Sequence, residues 1–72
     1  MAIVVTGAAG FIGSCLTSYL NNKGITDLIL VDDFSNDEKN KNLINKQFAA
    51  KIDRKLFLFD MHRFQIDFVF HI

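Results

Sequence analysis

The sequence predicts an α/β fold, the N-terminal part of a doubly wound parallel sheet with helices on its faces. Three observations carry that expectation. Ala2–Thr6 and Asp27–Asp32 are short, almost unbroken aliphatic runs, the pattern of strands buried on both faces. A turn holding Gly7, Gly10 and Gly13 follows the first run without a gap. That turn opens directly into a stretch of helical periodicity.

Each element has its own reason. Ala2–Thr6 is β-branched at Ile3, Val4, Val5 and Thr6 and stops at glycine, as a first strand should. Between Phe11 and Asn22, residues Phe11, Ile12, Cys15, Leu16, Tyr19 and Leu20 recur at steps of three and four. They are expected to form the buried face of an amphipathic helix, with Cys15 and Tyr19 as core residues. Gly24 suits the left-handed position after that helix, and Lys23 the negative end of its dipole.

Asp27–Asp32 is the second strand. Asp33–Lys46, rich in asparagine and charge, reads as a solvated loop. A weak third strand is expected at 47–51 around Phe48, where Ala49, Ala50 and Lys51 have poor β-propensity. Asp53 can cap a helix over 53–63, with Met61 in the core and His62 in solvent. Residues 66–72 form the last strand, and Phe68-Val69-Phe70 within it needs cover on both faces.

Bulk properties narrow the classes of function. A chain of 72 residues is one domain at most. Its formal charge is zero, which gives no electrostatic case for nucleic acid or an acidic membrane. One cysteine forms no internal disulfide and fits a reducing compartment. His62 and His71 have no cysteine cluster or acidic pair beside them, so no metal site is expected. No apolar run approaches the ~20 residues of a membrane span. The N-terminus lacks a basic region ahead of its apolar run, so a cytoplasmic protein is expected.

The glycine turn carries the chemistry. Gly7 lets the chain leave the strand in a tight turn, Gly10 lets backbone approach a phosphate, and Gly13 allows close helix–strand packing. The free N–H groups and positive dipole end of the next helix then face an anion. Strand, glycine turn and helix in this order are the context that makes the spacing a dinucleotide cradle, and the fold Rossmann-type. Asp32 ends the second strand nineteen residues after Gly13, where a carboxylate accepts hydrogen bonds from ribose hydroxyls. Asp33 is the alternative at the same place.

The turn is Gly-x-x-Gly-x-x-Gly preceded by Thr6. It resembles that of the extended short-chain dehydrogenase/reductase family of NAD(P)-dependent sugar epimerases and dehydratases. The runs G-A-A-G-F-I-G-S, K-G-I-T-D-L-I-L-V-D-D-F-S, K-x-x-N-L and F-V-F-H-I are similar to members acting on a nucleotide-linked heptose. The resemblance spans the chain but reaches only the first quarter or so of such an enzyme. It implies a tightly held NADP or NAD, transient oxidation of the sugar, and a place in lipopolysaccharide core synthesis. By position it assigns cofactor contacts to Phe11, Ile12, Asp32 and Asp33, and basic cofactor positions to Lys39 and Arg54. Asp32 argues for the free 2′-hydroxyl of NAD and Lys39 for the 2′-phosphate of NADP; the resemblance favours NADP.

The family's catalysis rests on a Tyr-x-x-x-Lys pair. The one such spacing here, Tyr19 to Lys23, lies at the far end of the first helix from the glycine turn and is not assigned that role. His71, with no partner evident in the sequence, reads as a strand-end residue. The chain is therefore expected to be a partial NAD(P)-binding domain, residues 1–72, without a substrate domain and inactive alone. Two alternatives stand beside this: a nucleotide-binding or interaction module that self-associates through its last strand, and a truncated gene product without function.

Overall fold

A computed structural model of the chain describes residues 2–60 and 66–71. Four strands, β1 (Ala2–Thr6), β2 (Leu28–Asp32), β3 (Ala50–Asp53) and β4 (Ile66–Phe70), form one sheet in the order β3-β2-β1-β4. Every pairing is parallel, so each strand runs its carboxyl end to the same rim. The helices are α1 (Phe11–Asn22), a one-turn α2 (Asp37–Asn40) continued by a 3-10 turn at Lys41–Leu43, and α3 (Arg54–Asp60). Among the described residues, no helix is long and apolar enough to cross a membrane.

The unbroken aliphatic runs are explained by cover on both faces. Ile3 and Val5 of β1, with Leu28 and Leu30 of β2, point to the α1 side and join Ala8, Ala9, Leu20 and Leu43. Val4, Ile29 and Val31 point the other way and pack against Phe57 of α3. Alternation puts neighbours on opposite faces, and both faces are apolar here because each has a helix to meet.

Four expectations need correction. The first concerns α1. Its buried residues are Gly13, Ser14, Thr17 and Leu20, with Leu16 packed at the flank. Phe11, Ile12, Cys15 and Tyr19 are exposed. The cause is Gly13: a Cβ there would overlap the Gly7 carbonyl oxygen and stand 2.8 Å from Ala8 Cα. The helix backbone thus lies so close to the turn that only small side chains fit the contact. Thr17, fully buried, satisfies its hydroxyl by donating to the Gly13 carbonyl at 2.9 Å.

Secondly, Asp33–Lys46 is not a plain solvated loop. Asn36 caps α2 by accepting from the Glu38 and Lys39 amides at 3.0 and 3.2 Å, and Leu43 is buried against the α1 face. Thirdly, the third strand is Ala50–Asp53 rather than 47–51. Phe48 precedes it, its ring packed on the core. Fourthly, His71 has a partner, since its Nδ1 lies 2.9 Å from the Thr6 hydroxyl oxygen.

The remaining boundaries follow the sequence closely. β2 starts one residue late, at Leu28. Asp53 ends β3 and accepts from the Lys55 amide at 2.9 Å, the cap foreseen for α3. At the end of α1, Gly24 N–H donates to Asn21 and Ile25 N–H to Leu20, both at 2.9 Å, closing the last turn. The expected helix residues 61–63, including Met61 and His62, lie outside the described residues, as does Ile72 of the last strand.

Candidate functional site

The glycine turn sits at the carboxyl rim of the sheet, between β1 and α1, where ligands bind in open parallel sheets. Gly7 leaves the strand with φ of 64°, a left-handed conformation that glycine adopts without strain. Gly10 N–H closes the turn on the Gly7 carbonyl at 3.1 Å. Helix α1 then makes its first internal bond from Ser14 N–H to the Gly10 carbonyl at 2.9 Å. The amides of Phe11, Ile12 and Gly13 precede that bond and have no partner within the helix. No side chain caps this end, and its first turn holds no acidic residue. The positive end of the dipole is therefore not neutralised by the helix itself.

Gly10 and Gly13 differ in kind. A Cβ at Gly10 would touch only the Gly7 carbonyl oxygen at 3.4 Å and Lys39 Cε at 3.9 Å, both ordinary contacts. A side chain at Gly10 would thus meet the turn and the Lys39 stem without overlap. Gly13 serves packing instead.

Asp32 ties this turn to β2. Its carboxylate is buried, and Oδ2 accepts from the Ala9 amide at 2.9 Å. Oδ1 accepts from the Asp33 amide at 2.7 Å and from the Lys39 ammonium at 2.9 Å. Burial alone would push its pKa up. The Lys39 ammonium and the amides of Asp33 and Ala9 together outweigh burial and hold it below the usual aspartate value. Asp32 is thus ionised, and three donors fix its orientation.

Asp33 is more open. Hydrogen bonds from Ser35 hold its carboxyl below the usual range, aided by the positive charges of Arg54 and Lys55. Arg54 reaches this neighbourhood because Asp32 and Asp53 are register partners at the ends of β2 and β3. Gly7, Gly10, Phe11, Ile12, Asp32, Asp33 and Lys39 therefore gather at one rim of the sheet, with Arg54 at its β3 side. Gly13 stands behind them as a packing residue.

Sequence reasoning missed Asn42. Its Nδ2 donates to the Ala9 carbonyl at 2.8 Å, linking the 3-10 turn to the glycine turn across 33 residues. It was visible only as the asparagine of K-x-x-N-L, which carries no geometry. Tyr19 and Lys23 form a cation–π contact, with Nζ 5.5 Å from the ring centroid, on the last turn of α1 away from this rim.

The chain is similar to known proteins along nearly its whole length. The model of the NAD dependent epimerase/dehydratase family matches residues 3–72. ADP-L-glycero-D-manno-heptose-6-epimerase from two Pseudomonas aeruginosa strains, UCBPP-PA14 and PAO1, is 50% identical over 58 residues. That match covers 81% of this chain and 18% of the relative, so the chain spans about a fifth of those enzymes. Among solved structures, UDP-glucuronic acid 4-epimerase from Bacillus cereus in complex with NAD superposes on the whole chain with a TM-score of 0.72. It is 31% identical, and the match covers 26% of its length. UDP-glucose 4-epimerase from Thermotoga maritima gives a TM-score of 0.65 at 30% identity, over 24% of its length. With a strand–turn–helix unit of the right geometry and a family match along nearly its whole length, the chain belongs to the NAD dependent epimerase/dehydratase family.

Proposed function

We propose that these residues are the dinucleotide-binding portion of an ADP-heptose 6-epimerase, using NADP, in cytoplasmic synthesis of lipopolysaccharide core sugar. The observation that carries the binding part is the construction of the glycine turn. Amides at the start of α1 without a partner inside the helix stand beside Gly10, and a buried, ionised Asp32 braces the turn. The likeness to ADP-heptose epimerases supports the choice of substrate.

The residues divide the work. The amides of Phe11, Ile12 and Gly13 hold the pyrophosphate, and Gly10 leaves room for it. Asp32 and Asp33 meet the adenosine ribose. Lys39, beside Gly10 and Asp32, and Arg54, beside Asp33, supply positive charge for a 2′-phosphate. In this reading Lys39 exchanges its bond to Asp32 for the phosphate. When bound, the nicotinamide supplies reversible hydride acceptance for transient oxidation of the sugar. Proton transfer and substrate binding belong to parts of such an enzyme beyond these residues, since Tyr19 and Lys23 lie at the wrong end of α1.

Titration of the chain with NAD and NADP tests the reading. Micromolar binding with NADP preferred, and loss of that preference in Lys39→Ala, is the expected result. Unchanged NADP affinity in Lys39→Ala ends the 2′-phosphate role, and no binding of either dinucleotide ends the reading. Turnover of an ADP-heptose by the 72-residue chain would refute its inactivity alone.

A second reading has one observation in its favour. β4 is an edge strand among the described residues, and Phe68 and Val69 on it are exposed. A nucleotide-binding module that completes its sheet with another chain would use that edge. Sedimentation as a soluble monomer at micromolar concentration counts against it.

A further inference from the structure

Ala9 is held from two sides by side chains distant in sequence. Its amide donates to Asp32 Oδ2 at 2.9 Å, and its carbonyl accepts from Asn42 Nδ2 at 2.8 Å. The first bond fixes the peptide plane between Ala8 and Ala9, and the second fixes the plane between Ala9 and Gly10. In a trans peptide the C=O and the following N–H point in opposite directions. Commitment of the Ala9 carbonyl to Asn42 therefore directs Gly10 N–H toward Gly7, where it bonds at 3.1 Å. With the Ala9 carbonyl unbound, the Gly10 N–H bond to Gly7 alone would hold that plane, and its rupture would let the plane rotate beside Gly10. Its oxygen would then place negative partial charge beside the anion.

Asn42 is itself anchored. The next residue, Leu43, is buried against the α1 face, and α2 before it is capped by Asn36. The 3-10 turn is thus a fixed platform, and the asparagine on it reaches the turn at a single point.

We infer that Asn42 is a positioning residue for the pyrophosphate cradle, acting through the Ala9 carbonyl rather than by touching the ligand. The inference rests on the dinucleotide-binding reading above and adds a residue to it.

NMR titration of the chain with a nicotinamide dinucleotide and, separately, with adenosine tests it, because adenosine has the base and ribose but no pyrophosphate. Asn42→Ala should weaken the dinucleotide roughly threefold to tenfold, the scale of one lost hydrogen bond, and leave adenosine within about twofold. Asn42→Asp removes the donor at nearly constant volume and should weaken the dinucleotide at least as much, since a carboxylate opposes both the Ala9 carbonyl and the phosphates. Asn42→Gln, which keeps an amide donor, should recover part of the loss. Dinucleotide affinity within about twofold of wild type in both the Ala and Asp variants overturns the inference while leaving the dinucleotide-binding reading intact. Parallel loss of both ligands, or failure of both variants to fold, overturns it in favour of a purely structural role. Absence of dinucleotide binding by the wild-type chain removes the reading itself.

Discussion

The ammonium of Lys39 lies 2.9 Å from Oδ1 of Asp32, joining the one-turn helix α2 to the end of β2 directly beside the glycine turn. Asp32 is almost fully buried at 4% side-chain exposure, whereas Lys39 keeps 37%. The pair therefore has one desolvated member that depends on its partners and one that remains in contact with water. Lys39→Ala should cost about 1 kcal/mol at neutral pH, the upper end for a partly exposed ion pair. Urea unfolding at pH 7 measures it, and a change below a few tenths would show that water replaces the ammonium without loss.

Acid should expose the same carboxylate. Asp32 is lowered in the folded chain, and Asp33 is shifted in the same direction. A group with a depressed folded pKa contributes fully above its unfolded value, about 3.9 for aspartate. Below that value the unfolded chain takes up the proton first, and stability falls until the folded pKa is passed. Thermal midpoints should thus be flat from about pH 7 to about pH 5 and decline below about pH 4. The Lys39→Ala curve should start lower and converge with wild type in acid, because its Asp32 shift is smaller. Parallel curves through the acid range would exclude Asp32 as the group read by Lys39.

How far the sequence reached depended on whether a feature is local. β1, α1, β2 and β4 were legible because strand and helix periods repeat within a few residues, and Gly7 to Gly13 because the turn is continuous. The cap at Asn36-Asp37-Glu38 was not legible within Asp33–Lys46, which reads as a solvated loop, although asparagine before two acids is a pattern that opens a helix. The charge around it masked that signal. Asn42 on Ala9 and Lys39 on Asp32 were not legible as contacts, since tertiary folding alone decides which side chain meets them. The buried face of α1 was misread for a physical reason. Apolar spacing counts side chains, whereas Gly13 sets the approach of the helix by having none.

Cys15 offers a direct check of that corrected face. It lies on α1 and is exposed. A core thiol would react with a bulky disulfide reagent only after unfolding, at a rate set by opening. An exposed one should react in native buffer within a few-fold of a free peptide thiol at the same pH. Full labelling in minutes without denaturant is expected. Protection by orders of magnitude would return Cys15 to the core.

Gly10 and Gly13 should separate binding from folding. Gly10 has φ −74° and ψ 173°, extended backbone open to any residue, and its Cβ would meet nothing closer than 3.4 Å. Gly10→Ala should therefore fold with a loss of about 0.5–1 kcal/mol from the helix cap. If the pyrophosphate lies against Gly10 as proposed, the added methyl group stands in the way and dinucleotide affinity should fall at least tenfold. Gly13→Ala meets Gly7 and Ala8 backbone atoms at distances no Cβ tolerates. Backbone cannot rotate aside as a side-chain tip can, so α1 must move off the sheet. Overpacking of that kind costs about 1–3 kcal/mol or more, a large share of what a domain of this size has to lose. Denaturant midpoints and dinucleotide titrations on the two variants give the answer together. Gly10→Ala stable but not binding, with Gly13→Ala destabilised, is the expected pair. Equal destabilisation would mean that Gly10 is a packing residue, which counts against the proposed anion position beside it.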